Sequence, residues 1–160
     1  MIEPESLRHL MRQWATGVSL VTSHVDGLRH GMTVTSFTSV SLEPAIILVS
    51  LEKTTRTHHM VEQGKAFAVT VLAEDQQDLA DRFAGRIADH EDRFAGVSYT
   101  SAASGAPIPA ECLAYLDCRV AATYSAGTHT LFLGEVLGGE VLRQAPPLAY
   151  YDRAYRSLRP

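Results

Sequence analysis

The stretch Gly31 to Pro44, GMTVTSFTSVSLEP, sets Thr33, Thr35, Ser36, Thr38, Ser39 and Ser41 among a few apolar side chains. A flat ring with a polar edge, such as an isoalloxazine, needs hydroxyls and main-chain donors along that edge and apolar cover on its face. Met32, Thr33, Val34, Thr35 and Ser36 are suited to supply them, with Ser39 a turn or bend later. The same residues equally suit a plain strand whose outward positions are Thr and Ser. Lys53-Thr54-Thr55-Arg56-Thr57 follows an apolar run and opens a helical stretch. The positive end of a helix, three hydroxyls and two cations there make a seat for phosphate, or a simple N-cap with solvated charges. Arg82-Phe83-Ala84-Gly85-Arg86 joins a glycine that admits close backbone approach to two guanidiniums fit for phosphate; it also reads as an ordinary basic helix end. His129, in Gly127-Thr128-His129-Thr130, stands at the mouth of a strand, placed to meet a nicotinamide, shuttle a proton or merely serve a turn.

Other familiar chemistry is missing from the sequence. It has no G-x-G-x-x-G after a strand, no Walker loop, no G-x-S-x-G elbow and no His-Glu-x-x-His. The adjacent His58 and His59 are expected on different sides of a helix, so no metal site is expected. Cys112 and Cys118 lie in an apolar run and read as packed thiols. The formal net charge of -4, with lysine only at 53 and 65, argues against a nucleic-acid partner. No stretch is apolar for long enough to span a bilayer, and MIEPESLRH is not a signal sequence, so a cytoplasmic location is expected.

The elements that must position these residues read as mostly strands. A helix is expected over 5–14, with Leu7, Leu10, Met11 and Trp14 on one face and Gly17 as its stop. Val18 to Val25 and Leu28 to Phe37 read as strands joined by the hairpin dipeptide Asp26-Gly27. Ala45 to Leu51 reads as a strand buried on both sides. A short helix over 54–63 stops at Gly64, and a strand follows over 66–72. Residues 74–84 read as a second short helix, and strands over 113–124 and 130–142 flank a turn at Ser125-Ala126-Gly127. With no regular βαβ alternation, the expectation is a mainly β barrel carrying peripheral helices, one domain over 1–160.

Taken in order, the segments resemble the flavin reductase-like family, whose members adopt the FMN-binding split barrel and include reductase components of two-component flavin-dependent monooxygenases. The resemblance runs from Met11-Arg12 and Ala15-Thr16-Gly17-Val18 through the 31–42 stretch, Phe67-Ala68-Val69, Phe83-Ala84-Gly85 and Phe94-Ala95-Gly96-Val97. It continues in Leu116-Asp117-Cys118-Arg119, His129-Thr130, Gly134-Glu135-Val136 and the closing Tyr150-Tyr151. It implies flavin contacts from Met32 to Ser36 and Ser39, and approach to the ribityl and phosphate by Leu51, Lys53, Thr54, Thr55 and Thr57. It implies a phosphate border at Phe83, Ala84, Gly85 and Arg86, a nicotinamide role for His129, and a place for Tyr151 in the same cleft. The implied activity is reduction of FMN, or FAD, by NADH or NADPH in a homodimer, with reduced flavin passed to a monooxygenase. The alternatives are a protein with permanently bound FMN, a non-catalytic flavin module and a heme-binding split barrel. Two positions depart from the family: Thr128 stands where Asp is frequent, and Asp152-Arg153-Ala154-Tyr155 replaces the frequent Arg-Gly-Arg-Tyr, which is expected to alter nucleotide recognition.

Overall fold

The computed structural model describes residues 2–86 and 91–158, with the Arg86 side chain outside that description. Helix α1 (Pro4–Met11) starts with Pro in its first turn and ends before Trp14 in turns at 12 and 13. It buries none of its residues, so the expected apolar face of Leu7, Leu10 and Met11 stays exposed. Gly17 does not stop this helix; it pairs with Ala149 in the short strand β1 (Thr16–Gly17).

Strands β2 (Ser19–Val25) and β3 (Leu28–Val34) form the expected hairpin, with Asp26 and Gly27 at φ 50° and 79°. Positive φ at both loop positions matches the twist of the flanking strands. β3 stops at Val34 rather than Phe37, and Thr38–Leu42 forms a separate strand β4. β5 (Ala45–Glu52) follows; it alternates, burying Ile47, Val49 and Leu51, where burial on both sides was expected. Next come α2 (Arg56–Gly64), β6 (Ala66–Val71) and α3 (Gln77–Asp81). α3 runs into a wider turn over Arg82–Arg86, kinked where Gly85 takes φ 82°. The small strands β7 (Tyr99–Ser101) and β8 (Pro107–Pro109) precede the long hairpin β9 (Ala114–Ala126) and β10 (His129–Val141). β11 (Leu148–Tyr151) and β12 (Ala154–Ser157) close the chain.

Seven strands pair antiparallel in the order β3-β2-β6-β9-β10-β5-β4, and β1-β11-β12 form a separate small sheet. The two edge strands, β3 and β4, are consecutive in the chain, so residues 35–37 span the split between them. Ser36 fastens this crossing by donating its hydroxyl to the Ser50 carbonyl at 2.8 Å. The core lies on both faces of β2, whose first five residues, Ser19 to Ser23, are all buried. Val21 packs with Val49, Leu51, Phe67 and Phe132, while its neighbour Leu20 packs with Leu72, Phe83 and Leu148. Cys118 joins the first cluster and Cys112 the second; both thiols are free and fully buried. Among the described residues no helix is long and apolar enough to cross a membrane.

Candidate flavin site on the split barrel

A cavity of about 800 Å³ opens beside the split. β3 and the residue after it supply His30, Met32, Thr33, Val34 and Thr35, and the start of α2 supplies Thr55, Arg56 and Thr57. Phe83, Ala84 and Gly85 form a third wall, and Tyr150, Arg153 and Tyr155 a fourth. The local causes are short-range. Thr55 caps α2 by accepting the His58 N–H at 3.3 Å, and donates its own hydroxyl to the Glu52 carbonyl at 2.8 Å. That fixes the positive end of the helix dipole at the cavity wall. Thr57 is fully buried with its hydroxyl 2.8 Å from His30 Nδ1, tying α2 to β3.

β3 meets the Phe83 turn only because residue 31 is glycine. A Cβ there would stand 2.9 Å from Thr22 Cγ2 and 3.2 Å from the Phe83 ring. Arg93 then braces the contact: its Nη1 donates to the carbonyls of Gly31 and Phe83, each at 3.0 Å.

Met32, Thr33, Val34, Thr35, Thr55, Thr57, Phe83, Ala84 and Gly85 are brought together in one cavity. Ser36 lines a second, adjoining cavity instead. Ser39 is exposed on β4 opposite Ile47 and does not reach the cavity. The Leu51 side chain points the other way, fully buried in the core beside Val49 and Phe132. Strand alternation explains it, since Glu52, one residue on, lines the cavity. Lys53 is spent elsewhere: its Nζ donates to Ser125 Oγ at 2.8 Å and the Gly127 carbonyl at 2.7 Å, pinning the β9–β10 turn. Thr54 is exposed in the turn before α2 and outside the lining. The expected phosphate contact from Arg86 falls on a side chain outside the described residues. His129 does not line the cavity; it sits opposite Glu52 in the β5–β10 register, with Nδ1 2.9 Å from the Thr128 hydroxyl. Tyr151 turns outward, its hydroxyl donating to Gln13 Oε1 at 3.4 Å, and its strand neighbour Tyr150 faces the cavity.

Sequence reasoning missed His30 and Arg93, and it named Tyr150 and Arg153 only within the closing motif without placing them at the cavity. His30, Met32 and Val34 alternate on β3, so a strict period of two starting from Met32 finds the first. Arg93 carries no such signal, because its partners lie 62 and 10 residues away. The histidine pair also differs from expectation. The rings of His58 and His59 are 5.4 Å apart, and their nitrogens lie within 4.8 Å of each other and of a Glu62 carboxylate oxygen. His58 Nε2, however, is already 2.8 Å from the Thr130 hydroxyl, and the ring packs edge-on to Phe132.

Burial lowers the His58 pKa below its ordinary 6.5, so the folded protein holds this imidazole neutral. The unfolded chain takes up that proton first, so stability is full above about pH 6.5 and falls as pH drops through the window below it. Thermal melts across this range are expected to show the decline, and His58→Gln to flatten that part of it. An identical pH slope in the variant would refute the assignment.

The walls fit a flavin. Met32 and Val34 offer apolar cover, Thr35 offers a hydroxyl, and the first turn of α2 with Arg56 offers positive potential for a phosphate. Fold and cavity together define a flavin-binding split barrel. The flavin reductase like domain matches residues 11–159, and the chain belongs to this family of NAD(P)H:flavin oxidoreductases. The reductase subunit of a flavin-dependent monooxygenase from Rhodococcus jostii is 35% identical over 159 residues, 99% of this chain and 80% of its own length. Actinorhodin polyketide dimerase from Streptomyces coelicolor is 40% identical over 153 residues, covering 95% of this chain and 85% of its own. Among solved structures, an NADH:FAD oxidoreductase from Streptomyces globisporus superposes with a TM-score of 0.93 at 32% identity, covering 100% of this chain and 98% of that one.

Proposed function

We propose that this single-domain reductase takes FMN as its flavin, with FAD as the other candidate, draws hydride from NADH or NADPH, and passes reduced flavin to a partner monooxygenase. The observation that carries the reading is the pairing of a helix start, with Thr55, Arg56 and Thr57, and an apolar strand edge, with Met32 and Val34, across one cavity. The first suits a phosphate and the second a flat ring. The bound flavin supplies the hydride acceptor; the protein supplies position and electrostatics. Arg56 and the α2 dipole hold the phosphate end, and Thr35 presents its hydroxyl beside the ring's polar edge, while Thr33 is tied to the Ala80 carbonyl at 2.6 Å. His129 reaches the nicotinamide from the rim beside Glu52.

Anaerobic mixing of the protein with FMN and either nucleotide is expected to bleach the flavin. No bleaching with NADH or with NADPH would overturn the reductase reading. Removal of flavin on gel filtration supports its use as a substrate; full retention selects the permanently bound alternative. His129→Ala is expected to raise the nicotinamide KM about tenfold while leaving FMN affinity unchanged, as loss of one ligand hydrogen bond does. Unchanged NADH kinetics in that variant would remove its role. Val40 and Leu42 stand exposed on the edge strand β4, Leu42 at 86%, which supports a homodimer that covers them. Light scattering at a monomer mass would exclude it.

A further inference from the structure

Helix α2 carries a second group of polar side chains that the flavin site does not use. His58, His59 and Glu62 line neither cavity, yet each offers one nitrogen or oxygen within 4.8 Å of the other two. The helix explains the grouping. Consecutive residues point about 100° apart, and Glu62, four positions beyond His58 and three beyond His59, falls between them on the helix surface.

His58 is the unusual member. It is 3% exposed, and its two ring nitrogens differ. Nε2 lies 2.8 Å from the Thr130 hydroxyl, whereas Nδ1 is buried with no hydrogen-bond partner among the described residues. A buried ring nitrogen left unpaired is rare in a folded protein and points to a ligand that completes it. When Nε2–H donates to Thr130, Nδ1 presents its lone pair. Metal-binding histidines are held in this way, by a hydrogen bond at the nitrogen that does not bind the metal. His59 and Glu62 are exposed, and neither side chain makes a hydrogen bond or ion pair among the described residues. Both can therefore turn towards an ion beside Nδ1.

We propose that His58 Nδ1, one His59 nitrogen and a Glu62 carboxylate oxygen bind a divalent transition-metal ion of the zinc type. Two imidazoles and a carboxylate suit that ion and leave a fourth position for water. Ligand atoms about 2.0–2.2 Å from an ion stand closer together than those of the empty site, so the exposed His59 and Glu62 side chains close in by rotamer changes. His58 stays where Thr130 and the edge-on Phe132 ring hold it. The bound ion ties two turns of α2 together and, through His58 and Thr130, fastens them to β10. It thereby steadies the helix whose start forms one wall of the first cavity.

Calorimetric titration of chelator-treated, flavin-free protein with Zn2+ is expected to show one saturable equivalent, and zinc is expected to raise the Tm. His59→Ala and Glu62→Gln change only exposed side chains, so without zinc both are expected to melt like the wild type. Each is expected to weaken zinc binding about tenfold or more, since loss of even an outer-shell partner costs that much. Histidine nitrogen NMR reads the ligand atom directly. His58 Nδ1 is expected to shift as zinc is added, with Nε2 remaining protonated. Wild-type zinc affinity in either variant overturns the proposal, and so does a zinc shift at His58 Nε2 in place of Nδ1. Binding with no saturable single equivalent overturns it too, because scattered surface histidines then hold the metal. The titration uses no flavin and no turnover, so its failure leaves the reductase reading untouched.

Discussion

Arg93→Ala is expected to cost about 3 kcal/mol of stability and to abolish flavin binding at micromolar concentrations, because the same side chain braces the fold and shapes the cavity. Arg93 is 5% exposed and donates to the Gly31 and Phe83 carbonyls. Truncation leaves both acceptors buried without that donor, at about 1–3 kcal/mol each, before any relaxation. It also frees β3 to move away from the Phe83 turn, and those two segments carry adjoining walls of the cavity. Urea unfolding without flavin measures the first effect, and FMN fluorescence quenching measures the second. Arg93→Lys keeps a positive charge but loses the fork, so it is expected to recover part of the stability and little of the affinity. Wild-type stability together with wild-type FMN affinity in Arg93→Ala would refute the bracing role.

This residue marks where the sequence stops being legible. The β2–β3 hairpin follows from Asp26-Gly27, and the cavity strand from Met32 to Thr35 follows from hydroxyls alternating with apolar side chains, because both signals are local. The capped start of α2 at Thr55 is local too. Leu51, Lys53 and Tyr151 illustrate what segment-level resemblance misses. Each lies in the right stretch of chain, but strand alternation turns Leu51 into the core and Tyr151 outward, and a hairpin turn 72 to 74 residues away captures Lys53. The split itself is a matter of strand order: β3 and β4 follow each other directly yet sit at opposite edges of the sheet. Nothing in the composition of residues 31–42 says that pairing breaks at 35–37. Arg153 is the converse case, visible as a charge within the closing motif, while its positive φ of 62° and its place on two cavity walls are set by the fold.

Arg56→Ala is expected to weaken FMN binding by about ten- to a hundredfold, the range set by loss of one charge-assisted hydrogen bond at about 1.5–3 kcal/mol. The comparison that gives the number meaning is riboflavin, which has the ring and ribityl chain but no phosphate. If α2 seats the phosphate, riboflavin binds the variant as it binds the wild type, and the FMN-over-riboflavin preference shrinks by the same factor as the FMN affinity. Arg56→Lys keeps the charge as a single point and is expected to fall between the two. The dipole of α2 remains in every variant, so some preference for FMN survives. Equal loss for FMN and riboflavin would place Arg56 at the ring instead, and no loss for either would remove it from the site. The outcome also fixes direction. A phosphate held at the start of α2 sends the ring along β3 toward Thr35, the residue where the flavin cavity meets the second cavity.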